Sequence, residues 1–170
     1  FREALNVKLP NDIVVVKSEK VEDDFHARYC AKGKTYEYYI LNDQVPSALM
    51  RNQVYHYKYD LNIEAMKEGA QQFIGTHDFA AFKTQGSSVK GTIRTIFDVK
   101  VEKTEKIIKI SVSGDGFLYN MVRIIVGTLI NVGRGKTPAS SISNIIAQKD
   151  RTLAGDCVPP NGLLLKEVYY

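Results

Sequence analysis

The sequence predicts an α+β domain in which a largely antiparallel sheet carries its helices on one face. Runs that alternate apolar and polar residues, the pattern of strands, occur in both halves of the chain. Amphipathic segments with an apolar residue about every 3.6 positions lie between them. No internal repeat or low-complexity tract interrupts this order, and 170 residues are enough for one well-buried domain and too few for two full ones. We therefore expect a single domain over residues 1–170.

The first strands are expected in the amino-terminal third. Residues 12–21 are rich in valine and predict an opening strand. Residues 33–42 alternate aromatic and β-branched side chains and predict a second strand, with Tyr36 and Tyr38 on one face. A short extended piece is expected within residues 51–60.

A helix and a hairpin follow. Asn62 can cap a helix over residues 63–74, and Gly75 stands where a left-handed terminator belongs. Two alternating runs in residues 92–114 surround a polar turn and predict an antiparallel hairpin.

The last part of the chain predicts two helices and a closing strand. Residues 118–132 form an almost continuous apolar stretch, which indicates a buried helix. Thr137 and Pro138 make a cap and first-turn pair for a helix that runs to about Lys149. Residues 162–170 predict the closing strand.

Charge is uneven along the chain. The net charge is +4, and residues 83–136 carry ten Lys or Arg against four Asp or Glu. Such a basic block can meet a polyanion such as RNA, although an ordinary surface field explains the charge equally well.

The cysteines and histidines indicate no metal site. Two cysteines lie far apart and three histidines are scattered, so no metal-ligand spacing occurs. This pattern favours a reduced, metal-free protein of the cytosol. The longest apolar run is too short for a membrane span, because Arg123 interrupts it.

Arg123 is the most informative single residue, because it lies in the middle of the apolar stretch 118–132. A guanidinium does not give up its proton, so a buried arginine needs an acceptor or an anionic partner. Two explanations fit about equally. The side chain can lay its stem on the core and its head in water, or it can lie in a cleft opposite a carboxylate whose pKa it lowers. The helix itself contains no Asp or Glu.

Two further positions are candidates for function. Tyr36 is either a packing residue of its strand or a ring on which an extruded nucleobase stacks. His77 and Asp78 follow the predicted helix end directly, and they are either functional loop residues or the cap of the next turn. The residues alone favour the structural explanation for both positions.

Six segments are distinctive in their order and spacing: FHARYCAKGKTYEYYI, FIGTHDFAAF, GTIRTI, GDGFLYNMVRIIVGTLINVGRGK, AQKDRTLAG and VPPNGLLLKEVYY. Each is modestly informative alone. Together they resemble the TruA family of tRNA pseudouridine synthases over essentially the whole chain. The resemblance implies a pseudouridine-synthase-like α+β fold.

The resemblance also implies a reaction. Members of this family isomerise uridine to pseudouridine in the anticodon stem-loop of tRNA, at tRNA positions 38 to 40, with neither cofactor nor metal. The uracil is flipped out, its bond to ribose is broken, the base turns, and a carbon–carbon bond forms instead. The family implies a homodimer, and we expect a cytoplasmic location.

The family's essential catalytic group is an aspartate in an RTDAGVHA-like motif. None of the ten aspartates of this chain is preceded by Arg-Thr and followed by Ala-Gly. The family places that motif ahead of the residues that match the beginning of this sequence. We therefore expect residues 1–170 to be the carboxy-terminal portion of a TruA-type enzyme, inactive without the aspartate.

Site roles carry over at the matching positions. Tyr36, the first tyrosine of KTYEYY, matches the family's active-site tyrosine, which stacks on the target base and can take part in proton movement at its ring. Arg123 matches the arginine that pairs with the catalytic aspartate. Phe117 and Leu118 occupy the apolar positions that would wall the pocket.

The remaining matches concern RNA. His77 and Asp78 match the family's HDF loop, where a role in backbone contact or base flipping is implied, and this makes a functional role as plausible there as a structural one. Basic residues around the matching segments are candidates for phosphate contacts: Lys32, Lys34, Lys83, Lys90 and Arg94. Two other functions stay open, a stand-alone RNA-binding module without catalysis and an α+β interaction domain that never meets nucleic acid.

Overall fold

The computed structural model describes residues 1–84, 86 and 91–170. The chain divides into two units, Phe1–Cys30 and Ala31–Tyr170, and each is described by itself. No helix in these ranges is both long enough and apolar enough to cross a membrane.

The first unit contains one short helix, α1 (Arg2–Asn6), and otherwise irregular backbone. The strand predicted for residues 12–21 is wrong. Near the middle of this segment, the Asn6 side chain takes both backbone hydrogen bonds of Val15. The Val15 N–H donates to Asn6 Oδ1 at 2.7 Å, and the Val15 carbonyl accepts from Asn6 Nδ2 at 3.0 Å. Valine favours a strand only where a neighbouring backbone offers pairing, and no strand pairs with this segment in the described ranges.

The second unit is built on one mostly antiparallel sheet. Among the described residues its strands are β1 (Gly33–Leu41), β2 (Tyr55–His56), β3 (Gly75–Asp78), β4 (Ile93–Thr104), β5 (Ile107–Gly114) and β6 (Leu163–Tyr169). Along the sheet the order is β2-β1-β5-β4-β3, and β6 also pairs with β1. Since β5 covers one side of β1, β6 and the short parallel strand β2 share the other side, with β6 along Gly33–Tyr38 and β2 opposite Ile40 and Leu41.

The α-helices of the second unit, in the part of the chain that the structure describes, are α2 (Ile63–Gln71), α3 (Met121–Gly133) and α4 (Ile142–Gln148). They form the hydrophobic core with the apolar face of the sheet. Along β5 the residues Ile108, Ile110 and Val112 are buried, whereas those between them stay partly exposed. This alternation places the core on one face, and the predicted fold class is confirmed.

Helix α3 is the centre of the core. Every residue in it is buried except Arg123 and Asn131. It begins three residues later than the apolar pattern predicts, because Asn120 has left-handed backbone angles (φ 62°, ψ 9°) and cannot continue a helix toward the amino terminus.

The other predicted elements are confirmed with shifted ends. Asn62 caps α2 through its side-chain oxygen, which accepts from the Ala65 N–H at 3.1 Å. The last turn tightens to i→i−3 bonds, so α2 ends at Gln71, and Gly75 (φ 114°) starts β3 instead of terminating the helix. The helix expected from Thr137 starts as a 3₁₀ turn and becomes α-helical only at Ile142.

Candidate active site

The candidate site lies where the β5–α3 loop, residues 115–120, meets the sheet. Asp115 ties this loop to β4, because its backbone N–H donates to the Thr95 carbonyl and its carboxylate accepts from the Thr95 N–H, both at 3.0 Å. Gly114 allows the close approach, since a Cβ there would lie 2.8 Å from the Thr95 carbonyl oxygen. The loop is therefore fixed to the sheet before α3 begins.

The predicted base-stacking residue and one predicted wall residue come together. Tyr36 projects from β1, and its ring meets that of Phe117 edge to face, with 5.2 Å between centroids and 90° between planes. Both rings are partly exposed, whereas Leu118 beside them is buried. This geometry leaves flat aromatic surface at the rim of an apolar wall, which suits a planar base.

Arg123 lies in the first turn of α3 and is half-buried. Its Nε donates to the carbonyl of Val158 at 2.6 Å, and its Nη1 donates to Asn120 Oδ1 at 2.9 Å. Both acceptors are neutral, and among the described residues no carboxylate lies within 4.0 Å of the guanidinium. The arginine is thus oriented by this part of the chain and keeps its charge uncompensated.

The Val158 carbonyl is delivered by a segment that crosses α3, which we call the strap (residues 154–159). The crossing is possible only with glycine on both sides: a Cβ at Gly127 would overlap the carbonyl oxygen of Asp156, and one at Gly155 would overlap the backbone of α3. The Gly155 N–H also donates to Thr128 Oγ1 at 2.8 Å. Backbone contact this close fixes the strap on the helix.

Tyr38 holds the end of the strap. It is fully buried, and its hydroxyl donates to the carbonyl of Pro159 at 2.5 Å. Burial, followed by the neighbouring Tyr55, raises the pKa of Tyr38 far above its ordinary value, while the charge of Arg123 acts in the opposite direction. The hydroxyl therefore stays protonated and remains a donor.

Two of the predicted phosphate-binding cations, Lys34 and Arg94, lie at the same end of the sheet. Lys34 is paired with Gly114 of β5, and Gly114 is paired with Ile96 of β4, two residues after Arg94. Arg94 lies beside Gly116 of the β5–α3 loop, because a Cβ at Gly116 would be 3.6 Å from Arg94 Nε.

Two further predicted cations, Lys32 and Lys83, adjoin β1 and the β5–α3 loop respectively. Lys32 is exposed and precedes β1, and its backbone N–H donates to the Tyr169 carbonyl at 2.8 Å. Lys83 precedes Thr84, whose backbone N–H donates to the Tyr119 carbonyl at 3.3 Å, so it flanks the β5–α3 loop. Lys90 lies outside the described residues.

His77 and Asp78 lie on the edge strand β3 and not in a loop. The His77 ring nitrogen Nε2 lies 3.0 Å from the Ile74 carbonyl oxygen. Asp78 accepts from the Ala80 N–H at 3.2 Å and pairs with Lys149 at 2.8 Å. The bond from Lys149, then one from Thr92, lowers the pKa of the Asp78 carboxyl. Both side chains have structural partners here, and their predicted contact with substrate stays a prediction.

Sequence reasoning missed three parts of the site: Asn120, the strap and Tyr38. The glycines Gly127 and Gly155 were a signal for the strap, since two helix-breaking residues far apart in sequence can mark one close backbone crossing. Nothing in the sequence shows that a carbonyl, Val158, would serve Arg123. Within the described ranges, no three His, Cys, Asp or Glu side chains are grouped as metal ligands would be.

Comparison with known proteins identifies the family. The family model for tRNA pseudouridine synthase matches residues 70–170. The chain is 56% identical over its whole length to tRNA pseudouridine synthase A of Clostridium botulinum (strain Eklund 17B) and 55% identical to that of Acetivibrio thermocellus, and it spans 70% of each relative's length. A solved Cbf5-Nop10-Gar1 complex aligns with 61% of this chain and 27% of that one at 21% identity, and its TM-score of 0.33 is too low to carry an argument. The chain belongs to the tRNA pseudouridine synthase family.

Proposed function

We propose that residues 1–170 form the carboxy-terminal, substrate-binding portion of a tRNA pseudouridine synthase, and that the nucleophilic aspartate is supplied from outside them. The observation that carries the proposal is Arg123, whose guanidinium is held in place by two neutral acceptors in an otherwise uncharged helix. An arginine oriented in this way can donate its remaining N–H groups to a carboxylate and keep that carboxylate ionised.

In the proposed reaction the chain binds the tRNA and orients the target uridine. The reaction is an isomerisation, so no atom is gained or lost. The bond between uracil N1 and the ribose C1′ breaks, the base turns, and a bond forms between C5 and C1′. The proton on C5 is lost and N1 gains one, so uridine and pseudouridine are isomers. No oxidant, cofactor or metal is required by this balance.

Tyr36 and Phe117 supply the surface on which the flipped uracil stacks. Their rings meet edge to face with 5.2 Å between centroids, and we assign the buried side chain of Leu118 to the apolar wall of this site. A base taken out of its helix loses stacking, and an aromatic partner restores part of that free energy. We propose that the Tyr36 hydroxyl takes part in moving the C5 proton.

Phosphate contact is the role we propose for Lys32, Lys34, Lys83 and Arg94. Lys34 and Arg94 lie at the end of the sheet where the β5–α3 loop begins. Their arrangement around the loop suits the backbone of an RNA stem-loop, recognised by shape and charge. We propose the anticodon stem-loop of tRNA as the substrate, a cytoplasmic enzyme, and a homodimer in which the tRNA meets both subunits. For His77 and Asp78, which lie on β3 opposite the start of β4, we propose a contact with the same RNA.

The decisive experiment is tritium release from tRNA labelled at uridine C5. The 170-residue chain is expected to bind tRNA in a salt-sensitive way and to release no tritium, whereas the full-length synthase releases it. Release by the 170-residue chain alone would contradict the proposal that the aspartate lies outside it. If the full-length protein binds tRNA and also releases nothing, a stand-alone RNA-binding module is the better explanation.

A further inference from the structure

Asn120 adopts a conformation that its helix does not require. Residues that cap a helix normally have extended backbone angles and use their side chain to accept from the first turn. Asn120 instead has φ 62° and ψ 9°, and its side chain makes no cap bond to α3. Left-handed angles are unfavourable for a residue with a Cβ, although asparagine tolerates them better than most.

The side chain is used to connect two other parts of the site. Its Oδ1 accepts from Arg123 Nη1 at 2.9 Å, and its Nδ2 donates to Thr84 Oγ1, also at 2.9 Å. The neighbouring backbone reinforces the connection, because the Thr84 N–H donates to the Tyr119 carbonyl. Asn120 therefore links Arg123 to the segment that carries Lys83 and Thr84.

Asn120 and Val158 together fix the plane of the guanidinium. They engage two different nitrogens, Nη1 and Nε, so the group can neither rotate about its last bond nor swing away. Two of the five N–H donors are used in this way. The remaining donors then point in a defined direction.

The neutrality of the amide matters as much as its position. A carboxylate at the same place would accept the same hydrogen bond and also pair with the positive charge, which would satisfy Arg123 from within. An amide oxygen orients the arginine and leaves its charge available.

We propose that Asn120 is a positioning residue, whose amide sets the direction in which the Arg123 guanidinium faces the catalytic aspartate. Through its bond to Thr84, the same amide also fixes the guanidinium relative to the segment that carries Thr84. This inference rests on the proposed pairing of Arg123 with the aspartate. The identity of residue 120 thus affects the chemical step and not the affinity for RNA.

The test uses the full-length synthase with Asn120→Gly and Asn120→Asp. Glycine keeps the left-handed backbone without strain and removes the amide. Aspartate keeps the shape and the acceptor and adds charge. In single-turnover reactions with saturating tRNA we expect both variants to react about 10- to 100-fold more slowly, since small losses of alignment cost rate on this scale. The tRNA Kd should stay within about twofold, because Asn120 is not among the proposed phosphate contacts.

Asn131→Asp is the matched control. It places the same new charge inside α3, about 16 Å further along the helix axis than Asn120 at 1.5 Å per residue, and it should react at the wild-type rate. A wild-type rate for either Asn120 variant would overturn the inference, and so would an equal loss in Asn131→Asp or a rate loss matched by an equal loss of tRNA affinity.

Arg123→Lys separates this inference from the proposed function. If Arg123→Lys slows the reaction and the Asn120 variants do not, the positioning role of Asn120 fails and the pairing of Arg123 stands. If all three variants react at the wild-type rate, the proposed role of Arg123 fails with it.

Discussion

The two ends of α3 each carry an arginine, and the two arginines are held in opposite ways. Arg123, in the first turn, donates to a backbone carbonyl and to an amide oxygen. Arg134, just after the last turn, donates to the Tyr57 hydroxyl at 3.1 Å and stacks on the Tyr59 ring, 4.2 Å from its centroid. Arg134 has an aromatic ring as a cation–π partner, whereas Arg123 is oriented by two neutral acceptors.

The difference teaches how to separate a structural arginine from a functional one in the same helix. Both side chains are half-exposed, so burial does not distinguish them. What distinguishes them is the kind of partner: an aromatic face offsets part of a positive charge, while a carbonyl or an amide orients the group and leaves the charge largely uncompensated. Arg123 should therefore matter for turnover and Arg134 for stability.

The largest expected effect is on turnover. In the full-length synthase, Arg123→Ala should lower kcat by about 10²-fold or more, since loss of one member of a desolvated ion pair costs about 3 kcal/mol. Arg134→Ala, the matched change at the other end of α3, should keep kcat within about twofold. Tritium release measures both. Equal losses in the two variants would show that the contrast between the two ends is not functional.

The next effect is on the strap that supplies the Val158 carbonyl. Gly127→Ala places a Cβ on the carbonyl oxygen of Asp156, and we expect a loss of about 3 kcal/mol in the free energy of unfolding, at the upper end for overpacking. Urea denaturation of the 170-residue chain measures it. Gly91→Ala is the control, since a Cβ there meets nothing within 4 Å. An unchanged midpoint for Gly127→Ala would refute the close crossing.

A smaller effect is expected at Tyr38, which holds the far end of the strap. Tyr38→Phe leaves the Pro159 carbonyl without its donor and should cost about 1–2 kcal/mol. Burial raises the pKa of Tyr38 above its ordinary value, so the folded state favours the neutral hydroxyl.

The sign of the pH dependence follows from that shift. The stabilisation from neutral Tyr38 is fully present below pH 10, the ordinary pKa of tyrosine, and declines as the pH rises above it. Thermal unfolding between pH 8 and 11 should therefore show a shallower alkaline decline in Tyr38→Phe than in the wild type. Parallel curves for the two proteins would contradict the assignment.

The smallest expected effect is the loss of stability on changing Arg134, at the carboxy-terminal end of α3. Arg134→Ala removes the stacking on Tyr59 and the bond to Tyr57, and we expect a loss of about 0.5–1 kcal/mol, typical for a partly exposed cation–π pair. The urea midpoint of the 170-residue chain measures it. An Arg134→Ala protein as stable as the wild type would show that stacking at this surface contributes nothing.

The sequence predicted local structure well where one pattern dominated. The alternation in residues 92–114 became β4 and β5, and Asn62 caps α2 as expected. It failed for the valine-rich residues 12–21, which pair with no strand among the residues that the structure describes. Strand propensity depends on the neighbouring strands of a sheet, which can be distant in sequence. A helix cap bonds residues two or three positions away, so the local sequence is enough to predict it.

By itself the sequence determined the fold class, the family resemblance and the candidates Tyr36 and Arg123. Each of these depends on residue type and spacing along the chain. Only the tertiary structure decided what holds Arg123. Its acceptor Val158 is 35 residues away in sequence, and it arrives because the strap crosses α3 where two glycines permit backbone contact. A backbone carbonyl has the same chemistry in every residue, so its role is set by position in space, which no side-chain pattern encodes.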